Sequence, residues 1–147
     1  MLNALLQTDN SLVGLVLRLT LAVVIFPHGA QKVLGWFGGY GVSGTLGFFK
    51  SIGIPTPIGM LGILAEFVGP VLLVFGLGSR VAAFGIACVM IVAAWKVHRS
   101  SGFFSNWGGQ LPAGKEGFEY HILAVGLALG VMLAGSGAWS LDALLAR

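Results

Sequence analysis

Charge is what this 147-residue sequence has least of. Asp, Glu, Lys and Arg together make up 9% of it, against roughly 25% in soluble domains. So few charges cannot cover a water-exposed surface, and 56% of the residues are hydrophobic. Cysteine is nearly absent. The single thiol, Cys88, excludes an internal disulfide and a Cys-x-x-Cys redox pair. Any redox chemistry must therefore draw on a cofactor or a partner. The formal net charge is only +3, and the basic residues are too scattered to form a face for nucleic acid. There is no nucleotide-binding fingerprint and no nucleophile triad. The glycine-rich stretch Gly38–Gly44 has no strand before it from which to build a phosphate loop. The start of the chain lacks a basic segment, and no small-residue cleavage site follows the first apolar run, so no signal peptide is expected.

What the sequence does have is four apolar runs, over residues 12–30, 57–77, 81–97 and 118–133. A helix of about 20 residues crosses a ~30 Å hydrocarbon core. The pattern predicts an all-α integral membrane protein, a four-helix bundle running up-down-up-down as one domain over 1–147. Ahead of it, Leu2, Leu5 and Leu6 suit a half-turn at the interface, and Asp9, Asn10 and Ser11 supply capping groups. A short amphipathic helix is expected in the first loop, at Thr45–Ile52, with Leu46, Phe49 and Ile52 on one side. Pro55 and Pro57 open the second span. Gly62, Gly69 and Gly76 recur every seventh residue there, a small-residue stripe for close helix contact or for pairing with a second copy.

The remaining polar residues are unevenly divided between the two ends of such a bundle. One end would hold His28, Gln31, Lys32, Lys50, Lys96, His98, Arg99, Lys115, Glu116, Glu119, Tyr120 and His121. The other would hold Asp9, Asn10, Arg80, Asp142 and Arg147. All three histidines fall at the first end. The excess of Lys and Arg in its loops would place that end in the cytoplasm by the positive-inside rule, unless those residues serve a site.

Several side chains at the rich end are suited to chemistry. Pro27–Thr45 puts His28, Gln31 and Lys32 on one helical face and then sets Trp36 and Phe37 among glycines. A histidine can exchange a proton with a carbonyl or hydroxyl ligand while a lysine stabilises a developing anion. The same residues also suit an interfacial cluster with a snorkelling lysine. Glu119, Tyr120 and His121, with His98, could complete the site. Trp36, Phe37, Phe103, Phe104 and Trp107 suit either membrane-interface anchors or a stack for a flat ring. No His-x-x-x-His or Glu-x-x-His pair stands at ligand spacing, so no metal site is expected; haem between His28 and His98 or His121 is not expected either, because the helix ends are shallow. Deeper in the bundle, Arg18 and Glu66 come within roughly 5 Å in depth. They are expected to form a structural ion pair, or else Glu66 titrates beneath a ligand.

The ordered set of motifs resembles the DoxX family of small four-span membrane proteins. The residues that carry it are Arg18-Leu19, His28-Gly29-x-Gln31-Lys32, Gly35-Trp36-Phe37-Gly38-Gly39, Gly44-Thr45, Glu66, Gly76, Arg80, Val97-His98, Gly102-Phe103-Phe104, Gly117-x-Glu119-Tyr120 and Ser140-Leu141-Asp142. The resemblance covers nearly the whole chain. It implies a four-helix membrane fold and a link to oxidoreductases, since relatives include the membrane subunit of a thiosulfate:quinone oxidoreductase and proteins tied to quinone, catechol or thiol-oxidative stress. It carries His28, Gln31, Lys32, Glu66, His98, Glu119 and Tyr120 over as candidate site residues. The lack of paired cysteines departs from the thiol-linked relatives.

Together these readings predict a multi-pass protein of the inner (plasma) membrane that binds a quinone-like ring compound at its polar end. It would serve as a subunit of a quinone-linked oxidoreductase. His28 and Lys32 would contact the ligand oxygen, and Glu66 and Glu119 would manage protons. Trp36, Phe37, Phe103 and Phe104 would clamp the ring, with Gln31, His98, Tyr120 and His121 also in contact. The expected partners are membrane lipid, a soluble redox protein and a second copy of the chain. The alternative is a non-catalytic membrane scaffold or small-solute carrier that docks a soluble partner.

Overall fold

The computed structural model describes residues 5–112 and 115–146; Leu2 and Arg147 lie outside them. The described residues form helices and turns, with no strand. Helix α1 spans Leu12–Leu34. The Ser11 hydroxyl accepts from the Val13 N–H at its start, and Gly35 (φ 71°) closes it in the left-handed conformation that glycine adopts without penalty. Helix α2, Gly41–Ser51, is the short helix of the first loop, and it begins four residues before the expected Thr45. Helix α3 spans Thr56–Phe75, with proline in its first turn. Helix α4, Ser79–Ala93, continues as a π turn over Ala94–His98 and a 3-10 turn over Arg99–Ser101. Helix α5 spans Glu119–Ala134 and helix α6 spans Leu141–Leu145.

Three helical runs, Leu12–Leu34, Thr56–Phe75 and Ser79–Ser101, are long and apolar enough to cross a membrane. Helix α5 is apolar but has 16 residues, roughly 24 Å at 1.5 Å per residue. Helix α1 packs on α3 and α5, and α4 packs on the same two helices, which closes a ring of four. The core of that ring is Leu21, Ala22, Ile25, Leu73, Ala83, Ile86, Met90, Ala124, Ala128 and Val131. Its alanines let the helix backbones approach. Val16, Val23, Leu61, Phe84, Leu123 and Leu133 lie exposed around the outside. A surface this apolar suits lipid rather than water.

The closest backbone approach lies between α1 and α3. A Cβ placed on Gly29 would overlap the Glu66 carbonyl and crowd the Phe67 Cα at 2.7 Å. Because the obstacle is main chain, no rotamer change relieves it. Gly29→Ala is expected to force the helices apart, at a cost near the upper end of the ~1–3 kcal/mol typical of overpacking. A thermal melt in detergent checks this, and an unchanged midpoint would show that the helices separate freely. Of the α3 glycine stripe, a Cβ on Gly69 would meet Ile86 at 3.3 Å, a tight contact with α4, whereas one on Gly62 would meet only Val89, at 3.7 Å.

The expected Arg18–Glu66 pair does not form. Arg18, 1% exposed, spends its guanidinium on five main-chain carbonyls. Nε donates to Ser136 (2.8 Å), Nη1 to Leu73 and Val74 (2.6 Å each), and Nη2 to Ala138 (3.2 Å) and Trp139 (2.9 Å). Leu73 and Val74 lie in the last turn of α3, where carbonyls run out of i+4 N–H partners, and Leu73 also accepts from the Gly76 N–H at 3.1 Å. The reason is directional. A helical side chain leans toward its own N-terminus, and paired contacts such as Phe26 with Phe67 and Arg18 with Leu73 run in opposite chain directions. Arg18 therefore leans toward the far end and Glu66 toward the histidine end. Beside Arg18, the buried Asp142 carboxylate accepts from the N–H groups of Gly78 (2.7 Å) and Ser79 (3.2 Å) and from the Ser136 hydroxyl.

Candidate functional site

At the other end, four helical elements bring three histidines around one cavity of about 390 Å³. Helix α1 contributes His28 and Lys32, α3 contributes Glu66, the π turn contributes His98, and α5 contributes Tyr120 and His121. The histidine sorting read from the sequence thus corresponds to a physical cluster. The rings of His98 and His121 lie 4.4 Å apart, and those of His28 and Tyr120 lie 5.6 Å apart. His98 Nδ1 donates to the Glu116 carbonyl at 2.7 Å.

Glu66 is the buried acid of this end, 2% exposed. Its partner is Lys32, one turn past His28 on α1. Lys32 Nζ lies 2.9 Å from each carboxylate oxygen, with a hydrogen bond to Oε1. Glu66 Oε2 receives no well-directed hydrogen bond despite that approach, because one ammonium cannot aim at both oxygens equally well. Two other buried polar atoms on the cavity wall, the Tyr120 hydroxyl and His121 Nδ1, have no hydrogen-bond partner among the described residues. Buried polar groups are nearly always satisfied. Orphans gathered on one cavity mark a place where a ligand or water completes the bonding.

The rest of the expected site is arranged differently. Glu119 lies outside the cavity lining, because its carboxylate accepts from the Ser105 N–H (2.9 Å) and the Trp107 indole (2.6 Å). It ties down the loop before α5, and the expected proton role does not fit that position. Gln31 donates to the Phe37 carbonyl at 3.3 Å and so braces the loop after α1. Trp36 and Phe37 are 53% and 69% exposed, on the turn Trp36–Gly38, and they do not clamp the cavity. Phe103 and Phe104 act through their backbones, whose carbonyls accept from the N–H groups of Glu119 (2.9 Å) and Gly117 (3.2 Å). Their rings pack edge-on with Phe118 and tilted against Trp107.

The structure adds Met90, Ala93, Ser105 and Gly117 to the wall. Met90 and Ala93 lie three residues apart on α4, a spacing visible in the sequence. Ser105 and Gly117 arrive by the folding of an irregular loop and carry no such signal. Among the described residues, no three His, Cys, Asp or Glu side chains converge as metal ligands.

Apolar helices of membrane-crossing length, capped at one end by a histidine-rich cavity over a buried Lys–Glu pair, define a small helical membrane protein with a built polar site. The chain belongs to the DoxX family, whose model matches residues 13–99. It is also similar to a protein of Bacillus subtilis (strain 168) described as "Putative oxidoreductase CatD", 30% identical over 128 residues, which is 87% of this chain and 83% of that one. No solved structure matches.

Proposed function

We propose that this chain is a single-domain, multi-pass inner-membrane protein, an up-down-up-down four-helix bundle that binds a quinone-like ring compound in the His28–Glu66–His121 cavity as part of a quinone-linked oxidoreductase. One observation carries the reading. Among the described residues the Tyr120 hydroxyl and His121 Nδ1 are buried without a hydrogen-bond partner, and Glu66 Oε2 has only the Lys32 ammonium at 2.9 Å, beside one cavity of about 390 Å³. A ring with oxygens on opposite sides suits that set, because a hydroxyl or ring N–H donates to a quinone oxygen and a carboxylate or imidazole accepts from a quinol. The similarity to a protein named as an oxidoreductase supports the class.

Reduction of a quinone consumes protons as well as electrons. Glu66, held by Lys32, and the histidines are the groups placed to supply or accept those protons. Electrons would come from a partner, since the lone Cys88 cannot cycle as a dithiol. Of the residues expected to touch the ligand, His28, Lys32, Glu66, His98, Tyr120 and His121 remain in this assignment.

The test is mass spectrometry with an absorption spectrum on gently solubilised protein from its own host. A near-stoichiometric quinone that is lost in Tyr120→Phe and in Glu66→Gln is the expected result. Protein that carries no quinone, and that neither gains thermal stability nor loses tryptophan fluorescence when quinone is added, would sink the proposal.

A further inference from the structure

The polar cavity shares part of its wall with a second space. A groove of about 350 Å³ runs between α3 and α4, and Lys32, Glu66 and Ala93 line both. Beyond those three the groove is almost wholly apolar. Its walls include Ile58, Phe84, Val89 and Val92, and its floor includes Gly59, Gly62 and Gly85. Along α4 and the π turn it extends from Phe84 to Val97, thirteen residue steps or roughly 20 Å. Ile58, Leu61 and Phe84 on its rim are exposed, so it opens sideways onto the surface that faces lipid. A second apolar hollow meets the cavity at Met90 and His121, but it does not reach the Lys32–Glu66 pair.

We infer that the ligand of the polar cavity is an amphiphile with a hydrocarbon tail, and that the tail lies in the α3–α4 groove and enters from the bilayer. This rests on the ring-binding reading above and narrows it to a tailed, membrane-soluble compound. Two features of the groove argue for a chain rather than a flat group. It runs for roughly 20 Å, and at Gly62 an added Cβ would meet only Val89, at 3.7 Å, which leaves room there. The wall shared at Lys32 and Glu66 would put the junction of ring and tail at the ion pair. The aliphatic stem of Lys32 can lie along the tail there while its ammonium stays on Glu66.

Gly62 offers a clean block. A Cβ there meets only Val89 Cγ2, at 3.7 Å, and leucine is a better helix former than glycine. Gly62→Leu should therefore fold and fill the groove while leaving the polar cavity intact. Binding of a menaquinone would be compared with that of dimethylnaphthoquinone, the same ring with methyl in place of the tail, by tryptophan quenching in one detergent. The wild type should favour the tailed compound by roughly tenfold or more. Gly62→Leu should erase most of that preference and leave dimethylnaphthoquinone binding unchanged. Detergent partitioning is common to both proteins and cancels in the comparison.

Cys88, an exposed residue on the groove wall, gives a second readout on the unmutated protein. Menaquinone should slow its alkylation by N-ethylmaleimide, and dimethylnaphthoquinone should not. A preference for the tail that survives Gly62→Leu, or alkylation unaffected by menaquinone, overturns the groove assignment while the ring site stands. Wild-type protein that binds neither compound overturns the ring site and the groove together.

Discussion

Arg18→Met is expected to destabilise the protein more than any other single substitution of a polar residue. Arginine has five N–H donors in a fixed fork, and all five find carbonyls at 2.6–3.2 Å, on Leu73, Val74, Ser136, Ala138 and Trp139. Methionine fills similar space but supplies none of those donors, and of the five carbonyls Leu73 keeps a bond from the Gly76 N–H. Breaking a buried charged network typically costs ~3–5 kcal/mol. For a chain of this length each kcal/mol lowers the midpoint by roughly 2–4 °C, so a fall of about 10 °C is expected. Arg18→Lys should recover only a small part, because a point ammonium cannot reproduce the fork. Circular dichroism melts of the three proteins in the same detergent check this. A lysine variant as stable as wild type would mean that charge alone, and not the fan of five bonds, holds the C-terminal segment.

The second large effect is expected at Lys32. Lys32→Met leaves Glu66, 2% exposed, without the cation 2.9 Å from its oxygens. The carboxylate must then remain as an unpaired buried charge or take up a proton. Loss of one partner of a buried pair is usually worth several kcal/mol, most of it the penalty on the survivor. The double variant Lys32→Met, Glu66→Gln removes both charges and should be more stable than Lys32→Met alone. That sign is the diagnostic one. A thermodynamic cycle over the four proteins in which the two substitutions simply add would show that the pair is not coupled, and the deep end of the cavity would need another account.

Much of this architecture was legible in the sequence, because membrane solvation leaves few choices. Runs of apolar residues must be helical where backbone groups have no water. The observed Leu12–Leu34, Thr56–Phe75 and Ser79–Ala93 each overlap the run expected for them. The gathering of His28, His98 and His121 was legible too, because each sits near the end of an apolar run. Side-chain direction was not. Arg18 and Glu66 are close in depth yet lean apart, a matter of Cα–Cβ geometry that depth does not record. Glu119, Tyr120 and His121 are consecutive, but neighbours on a helix point about 100° apart. Tyr120 and His121 therefore face the cavity while Glu119 turns to Ser105 and Trp107. The aromatics misled for a related reason. A loop has no period from which to tell a ring that faces the site from one that packs on its neighbour.

The bonding of Arg18 also bears on how the chain enters the membrane. Helix α1 carries a guanidinium whose partners at Leu73 and Val74, and then at Ser136, Ala138 and Trp139, are made 55 to 121 residues later. At 5–20 residues per second, translation reaches the last of them on the order of ten seconds afterwards. During that interval the helix must keep its charge at an aqueous edge or inside the insertion machinery. It settles at full depth only when Ser136, Ala138 and Trp139 arrive to receive it.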